Sequence, residues 1–312
     1  MTDAPLPRPS TPGAMRRLRR ERFIAHANEH TTGIVADTAE GRFLIDLDDH
    51  TVGGLLFADE SRSEIATLRA VLQILDDLAV PLPPRSVAIF LDIGANIGTT
   101  IVPALRSGRF ARGVAVEPEP RNQRLLRANL ALNDLHDRVE IITAAAGQTP
   151  GAAWLELHPT NSGGHEIANA LHRTSFERIG VKPTGRLHVE MMSVDALIAE
   201  GALAPDAVGL VWIDAQGYEG HILSGAAQLT SRGVPVVVEF WPTALKASGG
   251  FERFVSTLQH HYTEFVDLRR VVGPGPPQMR PVSELRTLAA ELASEGRAES
   301  DLLVLRRPRR SR

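Results

Sequence analysis

Short apolar runs alternate with segments of helical periodicity through the middle of the chain. Residues 86–92 and 113–117 are apolar runs of strand length that end in acids, and with residues 138–143 they are predicted to be the first three core strands. Helical spacing begins at Ile97 and again over residues 120–132, so a helix is expected between each pair of strands. Strands and helices in alternation predict a doubly wound, mostly parallel sheet that binds ligands at the carboxyl ends of its strands.

The later part of the chain continues this pattern. Residues 210–214 and 234–239 are apolar runs that end in acids, and residues 218–229 between them have helical spacing. Residues 262–268 and 302–305 are expected to supply the last strands, some of them antiparallel. We therefore predict an α/β protein with a Rossmann-like, doubly wound and mostly parallel sheet.

Two regions lie outside this core. Before it, residues 42–47 and 52–57 are predicted to be short strands and residues 64–78 a helix, which together would form a cap against the sheet. Residues 158–186 interrupt the core without clear periodicity, which favours a functional loop or lid over a plain surface loop. The expected division is a disordered basic tail over 1–25, a cap segment over 26–85, a core domain over 86–306 that contains the insertion, and a basic tail over 307–312.

The turn after the first core strand indicates a nucleotide-like ligand. Gly94 and Gly98 allow the backbone to approach a ligand closely, and Asp92 places a hydrogen-bond acceptor at the strand end. About 20 residues beyond the glycines, Glu117 ends the next strand, which is the spacing at which an acid binds ribose hydroxyls. A nucleoside-containing cofactor is therefore predicted, with a turn that binds no ligand as the alternative.

The residues of this turn favour S-adenosylmethionine over a nicotinamide cofactor. Dinucleotide sites carry G-x-G-x-x-G, whose second glycine admits a pyrophosphate, whereas Asn96 occupies that place here. The carboxylate of Asp92 would also lie close to the diphosphate and repel it. The same carboxylate would attract the ammonium and sulfonium groups of S-adenosylmethionine, which has no phosphate.

Four motifs follow one another along the core: D-I-G-A-N-I-G at 92–98, E-P-E-P-R-N at 117–122, L-A-L-N at 130–133 and I-D-A-Q-G-Y-E at 213–219. In this order and spacing they resemble the FkbM family of S-adenosylmethionine-dependent methyltransferases. The resemblance implies a class I methyltransferase fold and methyl transfer to oxygen. The acceptor in that family is commonly a hydroxyl of a polyketide, a sugar or another secondary metabolite.

The resemblance also implies which residues hold the cofactor. The first turn would cradle the methionine end, the second strand would end at the ribose, and small residues after the third strand would leave room for the adenine. These residues are Asp92, Gly94, Asn96 and Gly98 for the methionine end, Glu117 for the ribose, Asn122 as a brace for the loop or a cofactor contact, and Ala145 with Ala144 and Ala146 for the adenine. Residues 161–164 resemble a loop that is common in the family.

Methyl transfer from a sulfonium to a hydroxyl requires alignment of the two reactants and a group that removes a proton. Asp214, at the end of the fourth parallel strand, is the first candidate for this base because the acceptor should enter there. Glu219 is a second candidate, although it could instead cap a helix or pair with an arginine. His165 and His172 in the insertion are rivals, although a loop histidine is usually only exposed. Many family members have Glu where this chain has Gln216.

The amino-acid composition limits the cellular location and the cofactors that can be predicted for the protein. The 312 residues, 43% hydrophobic with a net charge of −3, are typical of a soluble globular enzyme. The chain has no cysteine, which excludes disulfides, thiolate metal sites and a cysteine nucleophile. No spaced set of carboxylates and histidines resembles a metal site, so no metal is predicted. No apolar run is long enough to cross a bilayer and no secretory signal is present, so a cytoplasmic location without a membrane partner is expected.

Arginine-rich stretches at residues 16–22 and 306–312 could contact nucleic acid or an acidic surface, and the chain could then be a partner-binding module rather than an enzyme. Solvated tails are favoured instead, because no aromatic residues alternate with the arginines to stack on bases. Residues 214–217 read D-A-Q-G where enzymes that methylate base amino groups have Asn/Asp-Pro-Pro-Tyr/Phe, which disfavours nucleic acid as substrate. A small-molecule hydroxyl substrate is expected, and the sequence does not determine the oligomeric state.

Overall fold

The computed structural model describes residues 12–58, 63–168, 180–271 and 277–307. The strands are β1 (Gly33–Thr38), β2 (Gly41–Asp46), β3 (Ile89–Ile93), β4 (Arg112–Val116), β5 (Val139–Ile142), β6 (Ala145–Ala146), β7 (Gly151–Leu157), β8 (Glu166–Ala168), β9 (Gly185–Met192), β10 (Val208–Ile213), β11 (Val236–Phe240), β12 (Glu264–Asp267), β13 (Met279–Pro281) and β14 (Ser300–Leu305). The helices are α1 (Pro12–Ala27), α2 (Val52–Ala58), α3 (Ser63–Asp77), α4 (Ile101–Arg106), α5 (Pro120–Leu132), α6 (Val194–Ala199), α7 (Glu219–Ser224), α8 (Ala227–Arg232), α9 (Pro242–Ala247), α10 (Phe251–His261) and α11 (Leu285–Ser294).

An eight-stranded sheet lies at the centre, with the strand order β13-β12-β14-β11-β10-β3-β4-β5. Strands β5, β4, β3, β10 and β11 run parallel, and β14 runs antiparallel to both of its neighbours. The order of the strands reverses between β3 and β10, which is where doubly wound sheets bind their ligands. The Rossmann-like, mostly parallel sheet predicted from the sequence is confirmed.

Apolar side chains cover both faces of this sheet. Leu91 and Ile93 of β3 pack with helices α6, α7, α8, α10 and α11 on one face, while Phe90 packs with α3, α4 and α5 on the other. Neighbouring residues of a strand point to opposite faces, so a strand that is buried on both faces is apolar throughout. This burial explains why the central parallel strands β3, β4, β10 and β11 are largely apolar in the sequence.

The N-terminal segment departs from two predictions. Residues 52–57 are not a strand but belong to helix α2, because the Asp49 side chain caps its first turn: Oδ1 accepts hydrogen bonds from the N–H groups of Thr51 and Val52 at 2.9 and 2.8 Å. Residues 12–25 of the expected disordered tail are helical and belong to α1. Residues 1–11 and 308–312 lie outside the described residues. The predicted strand at 42–47 and helix at 64–78 correspond to β2 and α3.

Two arginines near the ends of the chain donate hydrogen bonds to backbone carbonyl oxygens of the fold. Arg20 Nη1 donates to the carbonyl oxygen of Phe57 at 2.9 Å, and its guanidinium lies 5.4 Å from the centre of the Phe57 ring. Arg306 Nη1 donates to the carbonyl oxygen of Ser231 at 2.6 Å. These two side chains are therefore committed to intramolecular contacts.

A second sheet extends from before the insertion to beyond its end. Strand β7 pairs antiparallel with both β8 and β9, β6 pairs with β9 in parallel, and the sheet order is β6-β9-β7-β8. None of these four strands was predicted from the sequence. Residues 169–179, which include His172, lie outside the described part of the chain.

The helix predicted over 218–229 is two helices in the structure, α7 and α8. The first ends at Gly225, where a Cβ would lie 2.3 Å from the carbonyl oxygen of Gly147. None of the described helices is both long and apolar enough to span a membrane.

Candidate active site

A cleft opens at the carboxyl ends of β3, β4 and β10. Residues of these strand ends, of β6, β7 and β8 and of the N-terminal segment line it. Seven of the residues predicted from the sequence line it: Gly94, Asn96, Glu117, Ala145, Ala146, His165 and Asp214. The topology therefore brings together both the predicted cofactor residues and two of the candidate bases.

Four other predicted site residues lie behind the walls of this cleft. Asp92 is only 1% exposed within β3, and Asn122 and Glu219 are also buried. Gly98, with φ +94°, packs against α5, since a Cβ there would lie 2.9 Å from Cδ1 of Leu126. Two of the four have clear structural roles, described below: Asn122 supports a lining residue, and Glu219 supports a loop.

At Gly94 the turn that follows β3 contacts the loop that follows β10. The Gly94 φ of +84° favours glycine, and a Cβ at this position would lie 1.8 Å from the carbonyl oxygen of Asp214. The N–H of Gly94 donates to the carbonyl oxygen of Val116 at 3.0 Å, and the N–H of Asp214 donates to that of Ile93 at 3.0 Å. The glycine turn and the loop that carries Asp214 therefore touch backbone to backbone, which fixes their separation.

Asn96 takes the left-handed conformation with φ +50°, which asparagine tolerates better than most residues. Its backbone N–H donates to Oε2 of Glu117 at 2.8 Å, and its Nδ2 donates to Oγ of Ser162 at 3.2 Å. Unusual backbone conformations held by surrounding contacts are common at binding sites. Asn96 thus links the glycine turn to the ends of two other elements of the site.

Glu117 lines the cleft, and its carboxyl group accepts hydrogen bonds from three donors. Oε2 accepts the Asn96 N–H, while Oε1 accepts the N–H of Glu119 at 2.9 Å and Nδ2 of Asn122 at 3.3 Å. Burial raises the pKa of Glu117 to about 7, although these three donors act in the opposite direction. A carboxylate oxygen accepts two hydrogen bonds, so Oε2 keeps the capacity to accept a ribose hydroxyl.

Small and apolar residues form the wall beyond Glu117. Ala145 and Ala146 line the cleft, as do Leu155 of β7 and Ile167 of β8. Flat aromatic rings such as adenine fit between surfaces of this kind. Sequence analysis identified the alanines but missed Leu155 and Ile167, because the strands that carry them were not recognised. The apolar run A-A-W-L at 152–155 was the available signal for β7.

A braced loop presents Asp214 to the cleft. Gln216 Nε2 donates to Oδ1 of Asp214 at 2.8 Å, and Gln216 itself has a φ of +50°. Oε1 of Glu219 accepts the N–H groups of Ala215 and Gly217 at 2.9 and 3.0 Å from below the loop. Burial, with a smaller contribution from the charge of Asp214, raises the pKa of Glu219 to about 8. Glu219 therefore holds the loop in place from a fully buried position.

His165 lines the cleft but offers it no free lone pair. Its Nδ1 accepts the backbone N–H of His158 at 3.0 Å, so the neutral ring carries its proton on Nε2. Burial lowers the pKa of His165, which favours this neutral form. The side chain is thus arranged to donate a hydrogen bond rather than to accept a proton.

Among the described residues, one cluster of potential metal ligands is present, and it lies outside the cleft. The ligand atoms of His26, Glu29 and His30 all lie within 4.8 Å of one another at the exposed end of α1. None of these three residues lines the cleft.

Comparisons with known proteins give the following similarities. The family model described as Methyltransferase FkbM domain matches residues 92–270. The 2-O-methyltransferase NoeI of Sinorhizobium fredii is 25% identical over 183 residues, which are 56% of this chain and 70% of that protein. The ribosomal protein L11 methyltransferase of Pelobacter propionicus is 36% identical over 85 residues, 27% of each chain. The crystal structure of methyltransferase FkbM from Methylobacillus flagellatus KT has 14% identity and a TM-score of 0.35, covering 78% of this chain and 55% of that one.

Proposed function

The chain belongs to the FkbM methyltransferase family, whose model matches more than half of it, and from this premise we propose that it methylates a hydroxyl oxygen of a small molecule. Its methyl donor is S-adenosylmethionine. The proposed acceptor class is a polyketide, a sugar or another secondary metabolite. The similarity to a protein named as a 2-O-methyltransferase supports oxygen as the atom that is methylated.

One observation carries this proposal: the groups suited to the donor and to the acceptor face the same cleft. The tight turn at Gly94, the carboxyl group of Glu117 and Asp214 all line it. Gly94, which has no side chain, lets the glycine turn contact the loop of Asp214, and Glu117 keeps an acceptor site for a ribose hydroxyl. The cleft can therefore bind the cofactor with its reactive end toward the loop of β10.

The proposed mechanism assigns one task to each residue. When bound, S-adenosylmethionine supplies a methyl group on a positively charged sulfur. Asp214 accepts the proton of the acceptor hydroxyl, and Gln216 orients the Asp214 carboxylate by donating to its Oδ1. Glu117 holds the ribose, and the residues that enclose the cleft limit access of water to the reacting groups.

Calorimetric titration with S-adenosylhomocysteine, with NAD as the comparison ligand, tests the cofactor site. We expect binding of S-adenosylhomocysteine and none of NAD. Incubation with isotopically labelled S-adenosylmethionine and a pool of hydroxyl-bearing metabolites then tests the acceptor class, with a parallel pool of amines and of RNA. Label that enters amines or RNA and no hydroxyl compound would contradict the proposal.

A further inference from the structure

The cleft is completed by a segment that lies outside the residues matched by the family model. Residues 47–51 connect β2 to α2, and Val52, the first residue of α2, lines the cleft. The N–H of His50 donates to the carbonyl oxygen of Thr160 at 3.0 Å, which places this segment against the insertion. The N-terminal cap therefore contacts the site directly.

Asp49 makes the central contact between the two parts. Its Oδ1 caps α2, as described above, and its Oδ2 accepts hydrogen bonds from both the Oγ and the backbone N–H of Ser162, the latter at 3.3 Å. Asp49 is 7% exposed, and its contacts with Ser162 are partly buried. One carboxylate thus ties the first turn of a helix to the loop at the edge of the cleft.

Ser162 also accepts hydrogen bonds from two asparagines that contact Glu117. Nδ2 of Asn96 donates to its Oγ at 3.2 Å, and Nδ2 of Asn122 donates to its carbonyl oxygen at 3.2 Å. Both asparagines also donate to the carboxyl group of Glu117, through the backbone N–H of Asn96 and the Nδ2 of Asn122. Ser162, Asn96, Glu117 and Asn122 therefore form a closed ring of hydrogen bonds, which Asp49 holds from outside.

We propose that Asp49 is a positioning residue for the cofactor. By holding Ser162 it keeps the ring closed and so fixes the carboxyl group of Glu117 toward the ribose. The N-terminal segment is then a functional part of the cofactor site rather than a separate cap. This inference rests on the proposed assignment of Glu117 to the ribose.

Substitution of Asp49 by asparagine separates this role from the capping of α2. A carboxylate has two accepting oxygens, whereas an amide has one oxygen and one donating NH₂ group. In Asp49→Asn the amide oxygen can still cap α2, while the NH₂ group faces the N–H of Ser162 and cannot accept from it. Ser162→Ala removes the hydroxyl and leaves the cap untouched. Asp48→Asn changes the exposed neighbouring acid and serves as the matched control.

Calorimetry with S-adenosylhomocysteine and thermal unfolding without ligand are the first measurements. We expect Asp49→Asn and Ser162→Ala each to raise the Kd about tenfold, the scale for loss of one charge-assisted hydrogen bond, and Asp48→Asn to leave it unchanged. In turnover, the KM for S-adenosylmethionine should rise more than kcat falls. The melting temperatures of the ligand-free variants should stay close to that of the control.

Amide hydrogen exchange without ligand gives a readout that does not depend on the cofactor. Residues 158–164 should exchange faster in Asp49→Asn, while the strands β3, β4 and β5 keep their protection. If the wild-type protein binds and Asp49→Asn binds equally well, this inference alone is wrong. If affinity falls only together with the melting temperature, and Ser162→Ala has no effect, Asp49 merely caps α2 and the inference is wrong. If the wild-type protein does not bind S-adenosylhomocysteine, the cofactor site and this inference fail together.

Discussion

Glu117 and Glu219 are similar in almost every local respect but occupy different positions relative to the cleft. Both are buried, and each carboxyl group accepts two backbone N–H groups of neighbouring turns. Burial raises the pKa of Glu117 to about 7 and that of Glu219 to about 8. Yet Glu117 lines the cleft, whereas Glu219 lies fully buried beneath the loop that carries Asp214.

This difference shows that burial and a raised pKa do not by themselves identify a residue that contacts a ligand. Structural carboxyl groups that hold loops have the same perturbations as functional ones. What separates the two glutamates is whether an accepting oxygen faces the cleft. Substitutions on the two sides should therefore affect chemistry, stability and binding separately.

The largest effect is expected at the loop that Glu219 supports. Asp214→Asn should lower the rate of methyl transfer by about 10² to 10⁴, the scale for loss of a general base, while S-adenosylhomocysteine binding stays nearly intact. Single-turnover rates on the true acceptor measure this, with Asp206→Asn, an exposed acid, as the control. A normal rate in Asp214→Asn would remove the proposed base and leave alignment of the reactants as the source of catalysis.

The stability of the protein should depend on pH through Glu219. Because its folded pKa lies above the unfolded value of 4.5, its contribution to stability is fully present below pH 4.5 and is lost as pH rises through about 8. Relative to Glu219→Gln, which cannot ionise, the wild-type protein should lose stability over this window. Urea unfolding at a series of pH values measures the difference. Parallel curves for the two proteins would show that Glu219 does not titrate in this range.

Glu117 should control binding rather than turnover of the bound complex. Glu117→Ala removes the proposed ribose acceptor and should weaken S-adenosylhomocysteine binding by about 1 to 3 kcal/mol, the scale for a buried hydrogen-bonded group. Calorimetry on Glu117→Ala and Glu219→Gln side by side is the test, since the second variant should bind normally at a pH where it is folded. Equal losses in both variants would mean that the two glutamates do not differ in role.

His165 is expected to give the smallest effect. Because Nδ1 already accepts the His158 N–H, the neutral ring has no lone pair left to act as a base. His165→Gln, which can still donate through its amide, should lower the single-turnover rate by less than about tenfold, well below the scale for a general base. A loss of 10² or more with normal binding would transfer the role of base from Asp214 to the insertion.

The central strands and the glycine turn that lines the cleft could be predicted from the sequence because local signals determine them. Buried parallel strands are continuous apolar runs, and glycines mark the turn at Gly94. Helix α5 begins at Pro120, as predicted, with Glu119 as its N-cap: the Glu119 side chain accepts the N–H of Asn122 at 2.6 Å. These features need no knowledge of distant residues.

The features that sequence analysis missed depend on contacts between distant parts of the chain. The segment V-G-G-L-L-F at 52–57 has no clear period, and the cap from Asp49 makes it helical. Nothing in the sequence connects Asp49 with Ser162, which lies 113 residues away. Glu219 was a candidate base because it follows Asp214 closely, and only the positions of the Ala215 and Gly217 N–H groups show it as a brace.

The position of β14 has a consequence for synthesis of the protein. Residues 300–305 are translated after every other strand of the central sheet, yet they lie between β11 and β12. Until they leave the ribosome, β11 has an open edge, and β12 and β13 lack the strand that joins them to the rest of the sheet. Open edges invite pairing with other chains. A nascent chain of this protein therefore cannot complete its sheet gradually, and a product truncated before residue 300 would expose the edges that chaperones and proteases encounter.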